Sequence, residues 1–215
     1  SGSIVVEPGQ LERHAYVAAG EDGRIAYGKY SRFYARQMPE EDVLSFQVFR
    51  PGRVLVDPDS GETLGIHGLY LGEARVLDQG DPARLELVRS TEEVLATDRL
   101  LPMPETLALP TYMPHAPSAD LRGRILLIEG GVTEAGPYSI VALSLGERDG
   151  IEEGHVLRIL RDQGTKLDPV TGQRFRLPDE PTGLLMVFRT YEKASFGLIM
   201  RATKPILVAD FVATP

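Results

Sequence analysis

The densest group of side chains with chemical potential stands at one turn, Asp57-Pro58-Asp59-Ser60-Gly61-Glu62. Three carboxylates at this spacing could attract calcium. The pattern Asp-Pro-x-Ser/Thr-Gly-Glu/Gln returns at Asp168, however, with Val170 and Gln173 in the places of Asp59 and Glu62. The second copy thus keeps its turn residues and drops the extra charge. An EF-hand loop would also need its closing Glu at the twelfth place, and Glu62 comes too early. Asp57, Pro58 and Gly61, and likewise Asp168, Pro169 and Gly172, therefore read as structural turns. Aspartate bonds forward to backbone N–H groups, proline presets φ, and glycine accepts φ > 0.

The remaining candidates carry less. His14, His67, His115 and His155 are spaced by 53, 48 and 40 residues, with no His-x-His or His-x-x-x-His pair. Metal binding would require convergence over long range, and each is expected at the surface. Glu40-Glu41 and Glu152-Glu153 could be cast as acid–base pairs. They fall in polar loops with no apolar neighbours to raise a pKa, so solvated charges are expected. No nucleophile elbow, P-loop, dinucleotide fingerprint or His-Glu-x-x-His is present. Gly130-Gly131 reads as a hairpin turn between Ile128 and Tyr138. Arg75, Arg84, Arg89, Arg189 and Arg201 fall on expected strands, where a solvated sheet face is the default reading. The expectation is a non-enzymatic chain with no catalytic residue, no cofactor and no metal.

The elements that must position these residues are β-strands. Glycine (22) and proline (16) are scattered evenly, and the apolar runs between them are short. No window of helical length keeps an apolar stripe free of both, which points to an all-β protein. Strands are expected near 13–18, 24–27, 31–36, 43–50, 68–77, 83–89 and 98–101. A second series is expected near 124–129, 138–145, 155–161, 183–191, 195–202 and 208–213. Between the series, Pro102, Pro104, Pro110, Pro114 and Pro117 cannot sit inside a sheet. Leu107, Leu109, Tyr112 and Met113 suggest that this linker runs along a surface. The expected organisation is a first β module at 1–102, a Pro-rich linker at 103–121 and a second β module at 122–215.

The two series repeat each other at an offset of about 111. The offset pairs Gly20 with Gly131, Arg50 with Arg161, Asp57 with Asp168, Gly72 with Gly183, Val76 with Val187, Ala83 with Ala194 and Leu87 with Leu198. Asp98 meets Asp210 one residue later. The expectation is two duplicated small barrel- or sandwich-like modules of one strand order.

Composition limits the partners. The formal charge of −8 disfavours nucleic acid, and no Lys/Arg run compensates locally. No stretch approaches the roughly 18 apolar residues of a membrane helix. The absence of cysteine removes disulfides and thiolate sites, and the absence of tryptophan counts against a sugar-stacking platform. Ser1-Gly2-Ser3 reads as a cloning scar, so the natural chain is expected to begin earlier.

The segments VFRPGRVLVDPDSGETLG, ERDGIEEGHVLRI and KLDPVTGQRFRLPDEPTGLLMVFRTYEKASFGLIMRATKPI together resemble one family. The resemblance is to the C-terminal region, following the LysM module, of LysM-containing peptidoglycan-binding proteins of Gram-negative bacteria. It runs from about Leu11 to the end and is most specific around Leu184–Arg189. It implies an exported protein of the periplasm or cell envelope. Peptidoglycan would be bound by a LysM module outside this chain, which lacks the βααβ pattern of that module, so no glycan-binding residue carries over. The leading functional expectation is a non-catalytic scaffold or protein-interaction module whose partner is another envelope protein. The alternatives are a peptidoglycan-acting enzyme with a carboxylate pair between the modules, or an assembly component of a flagellar or secretion envelope.

Overall fold

The computed structural model describes residues 3–40, 42–103 and 112–215. Pro104, Leu107, Leu109, Pro110 and Glu41 lie outside the described residues. Among the described residues there is no α-helix, only three single-turn 3-10 segments, so no helix is long and apolar enough to cross a membrane. In the first half the strands are β1 (Ile4–Val6), β2 (Tyr16–Gly20), β3 (Ala26–Tyr27), β4 (Arg32–Arg36), β5 (Ser45–Val56), β6 (Thr63–Asp78), β7 (Ala83–Ser90), β8 (Val94–Leu95) and β9 (Arg99–Pro102). In the second half they are β10 (Arg122–Ile128), β11 (Glu134–Ala135), β12 (Ile140–Leu143), β13 (Val156–Arg161), β14 (Thr165–Leu167), β15 (Arg174–Arg176), β16 (Glu180–Thr190), β17 (Ser195–Ala202), β18 (Ile206–Leu207) and β19 (Phe211–Ala213).

The chain forms two compact units. The first comprises Ser1–Leu55 and Gly65–Leu109; the second comprises Val56–Leu64 and Pro110–Pro215. In the first half a seven-stranded sheet runs β1-β6-β5-β9-β2-β4-β7, and β7 returns to β6, so six strands make a ring with β1 added outside it. In the second unit β10-β12-β17-β16-β13-β19 close into a barrel. Begun at β2 and at β10, the two rings have the same circular order. Each also carries a two-stranded accessory pair, β3–β8 in one and β11–β18 in the other. Closure leaves neither ring an open edge for uncontrolled pairing.

Alternation explains the cores. Along β7, Ala83, Leu85 and Leu87 are buried and Arg84 and Glu86 are half-buried between them. The inward faces of the first ring contribute Val17, Phe33, Ala35, Phe46, Val48, Leu71, Leu85 and Leu100. The second contributes Ile125, Val141, Leu143, Leu157, Ile159, Leu185, Val187 and Val212.

One ion pair recurs at corresponding positions. Arg50 donates Nε and Nη2 to the buried Asp98 carboxylate, both at 2.8 Å, and Nη2 also reaches the Glu93 carbonyl. Arg161 grips the buried Asp210 in the same way, at 2.7 and 2.8 Å, and reaches the Pro205 carbonyl. Each aspartate also accepts the amide three residues before it, from Leu95 or Leu207. A cation–π pair recurs with its partners exchanged. In the first ring Arg99 of β9 lies 5.5 Å from the ring centroid of Tyr16 of β2, its ladder partner. In the second Arg124 of β10 lies 3.6 Å from that of Phe211 of β19, again its ladder partner.

The ladders refine the repeat register. The offset is 108 across β2 and β4: the Val17 amide bonds the Asp98 carbonyl as the Ile125 amide bonds that of Asp210. Gly131 (φ +71°) therefore answers Gly23 (φ +69°), not Gly20. The loop carrying the 3-10 turn Glu147–Asp149 then brings the offset to 111 for β5 and β6. From β7 onward it is 112, because Ala35 faces Ala83 while the corresponding Leu143 faces Ser195. The extra residue sits in the β16–β17 turn, so Ser195, not Ala194, answers Ala83, and Ile199, not Leu198, answers Leu87. Gly72 and Gly183 do correspond. A Cβ at either would strike a neighbouring-strand carbonyl, of Arg89 or of Arg201.

Candidate functional site

Both Asp-Pro turns have the backbone geometry their residues favour. Asp57 Oδ1 accepts the Asp59 amide at 3.1 Å, its carbonyl accepts the Gly61 amide, and its own amide bonds the Glu62 carbonyl. Asp168 Oδ1 accepts the Val170 and Thr171 amides at 2.8 and 3.2 Å, with the same closure by Gly172 and Gln173. These amides hold the Asp168 carboxyl below its ordinary range. Gly61 and Gly172 sit at φ +75° and +71°, the left-handed values the turn requires.

Beyond the backbone the two hairpins part. The first tip, Val56–Leu64, belongs to the second compact unit. There Asp59 takes both Nε and Nη2 of Arg124, at 2.9 and 2.8 Å. Glu62 takes Arg148 through both oxygens, at 2.8 and 2.7 Å, and Lys193 at 2.9 Å. The Arg148 and Lys193 hydrogen bonds pull the Glu62 carboxyl down to about 2, and Arg124 lowers Asp59. These carboxylates diverge toward cations instead of converging on a point. The arms of this hairpin bury Leu55 and Leu64 almost completely.

In the second hairpin the turn at Asp168 is the one the sequence predicts, but the short strands it joins, β14 and β15, lie outside the expected strand series. All six of its strand residues are exposed. Lys166 and Phe175, which face each other across it, occupy the places of Leu55 and Leu64. Val170 at the tip is 90% exposed, Leu167 63% and Phe175 47%. Its base is fixed: the Leu177 amide bonds the Gly164 carbonyl, Arg176 pairs with Asp162 and Asp179, and Arg122 clamps Asp179 at 2.6 Å. A rigid base thus presents an apolar tip flanked by Lys166 and Arg174.

The structure brings two of the four histidines together. His115 makes a parallel bridge to His155: its amide bonds the Gly154 carbonyl at 3.0 Å, and its carbonyl accepts the Val156 amide at 2.8 Å. The rings meet edge-on with centroids 4.8 Å apart. With Glu152 they form a group whose ligand-capable atoms lie within 4.8 Å of one another. His155 is buried, against the expectation of a surface position, because the barrel-entry strand carries it inward. Burial first, and His115 second, lowers its pKa. His14 instead packs edge-on against Phe49 and is lowered chiefly by burial. Spacing could not reveal this meeting, since 40 residues separate the two; the cue in the sequence is a histidine seated between Pro114 and Pro117.

The other charged candidates are surface groups. Glu40, Glu152 and Glu153 are exposed. Arg84 pairs with Asp78 and Glu21, Arg75 with Glu86, and Arg89 with Glu73. No protein-family model and no curated protein matches the chain.

Proposed function

We propose that the chain is a non-catalytic protein-interaction module of an exported, cell-wall-associated protein, and that the β14–β15 hairpin is its docking arm for another envelope protein. The observation that carries this is the contrast between two hairpins with the same turn. One has its tip engaged by Arg124, Arg148 and Lys193 with Leu55 and Leu64 buried; the other holds Val170, Leu167 and Phe175 in water on a fixed base. Exposed apolar side chains on a braced hairpin suit a protein partner. Since six-stranded rings close their own edges, strand addition needs an edge outside them, and this exposed hairpin offers one. The envelope setting rests on the resemblance to LysM proteins, in which wall binding would belong to a module outside this chain.

A photo-crosslinking residue at Val170, in cells, is expected to join the chain to one defined envelope protein. The purified pair should then bind, and Phe175→Ser together with Val170→Asp should weaken binding by about tenfold or more. Co-sedimentation supplies the opposing outcome. The 215-residue chain alone should stay in the supernatant with purified peptidoglycan; stoichiometric pelleting would mean that the β modules read glycan themselves.

A further inference from the structure

We propose that His115, Glu152 and His155 form a binding site for a divalent transition-metal ion of the zinc type. Two imidazoles and one carboxylate are the donor set such ions take, with the remaining position left to water. The ligand-capable atoms lie within 4.8 Å of one another, and an ion bound at about 2.0–2.2 Å from each would draw them closer by side-chain rotation.

The surroundings hold these groups in place. His115 is fixed on both sides by backbone hydrogen bonds to Gly154 and Val156. Its Nδ1 stands 2.8 Å from the Met113 carbonyl and donates to it, which leaves Nε2 with a free lone pair. A backbone carbonyl behind the distal nitrogen is the usual outer support of a metal-binding histidine. Gly154 makes the approach possible: a Cβ there would lie 2.8 Å from the Met113 carbonyl and 3.3 Å from the His115 ring. His155 is buried where β13 begins. Its Nδ1 accepts the Glu152 amide at 3.1 Å, and ligation by this ring competes with that contact. Glu152 and His115 are exposed, so an ion has an open path.

The ion would fasten the later part of the linker to the start of β13 by a bond stronger than one parallel bridge. This proposal does not depend on the docking reading, because none of its residues lies on the β14–β15 hairpin.

The test uses the tag-free chain, stripped with chelator and titrated with Zn²⁺ by calorimetry, with Co²⁺ absorption as a second readout. One ion per chain at micromolar affinity or better is expected, with the visible bands of a low-coordinate cobalt site. His115→Ala and Glu152→Gln alter exposed side chains and should each weaken binding by about tenfold or more. A circular dichroism spectrum like that of the parent would show that the fold survives. Absence of Zn²⁺ binding at high micromolar concentration would overturn the proposal. So would binding unchanged by both substitutions, because the ion would then sit elsewhere.

Discussion

The hairpin between β5 and β6 buries Leu55 and Leu64, whereas β14–β15 places Lys166 and Phe175 at the same positions and leaves them in water. Their turns are closely alike in hydrogen bonding: aspartate Oδ1 to the amide two residues on, glycine at positive φ, two amide–carbonyl closures. Turn chemistry fixes where the chain reverses. It says nothing about what the reversed chain touches. The side chains at Asp59 and Glu62, against Val170 and Gln173, decide that, because only the first pair offers carboxylates to Arg124, Arg148 and Lys193.

The largest test of the comparison strikes what the halves share. Arg50→Ala and Arg161→Ala each strand a buried aspartate without its cation, at a cost of about 3–5 kcal/mol. Urea denaturation should give similar losses for both. A loss in one alone would mean that the two pairs are not equivalent in energy.

The next test strikes the difference. Leu64→Ala should cost about 2–5 kcal/mol as a buried apolar truncation, whereas Phe175→Ala should change stability by no more than about 0.5 kcal/mol. A large loss at Phe175 would mean that the second hairpin is packed in solution and not presented.

Asp57→Ala should cost about 0.5–2 kcal/mol through loss of the forward bonds to Asp59 and Ser60. Asp168→Ala should also destabilise. Equal melting temperatures for parent and Asp57→Ala would leave proline and glycine to make the turn alone.

The smallest effect is in pH. Glu62 has its carboxyl held at about 2, below the ordinary 4.5. A lowered acid stabilises fully above its unfolded pKa and loses that contribution as pH falls through the folded one. Protection of the amides at 57 and 59–62, taken relative to intrinsic exchange at each pH, should therefore be full near neutrality and fall between about pH 4.5 and 2. Because the pair is solvent-screened, salt should reduce the difference. In Glu62→Gln the acid dependence should shrink to what the Asp59–Arg124 pair contributes.

Much of the fold was legible because alternation and turn residues are local signals. Ala83, Leu85 and Leu87 announce a half-buried strand, and the Asp-Pro motifs announce two tips. The repeat was legible as one offset of about 111, yet the ladders step through 108, 111 and 112. Insertions hide in loops, where hydrophobic patterns do not register them, as the misplaced pairs Gly20–Gly131 and Leu87–Leu198 illustrate. Strands of two or three residues, such as β8 and β14, carry too few side chains to declare a period. The His115–Glu152–His155 group was invisible for another reason: a parallel bridge joins distant segments with no turn to announce it.

The exchanged cation–π pair bears on how such a chain can change over generations. Grafting the sequence of β10 into β2 by itself would set one guanidinium beside Arg99, and the reverse graft would put a tyrosine in the place of Arg124 and leave Phe211 with Arg122 alone. Only β2 with β9, or β10 with β19, can be transplanted without loss. Strands separated by some eighty residues of sequence are thus inherited as one block. A recombination point anywhere between them would separate what the barrel wall requires together.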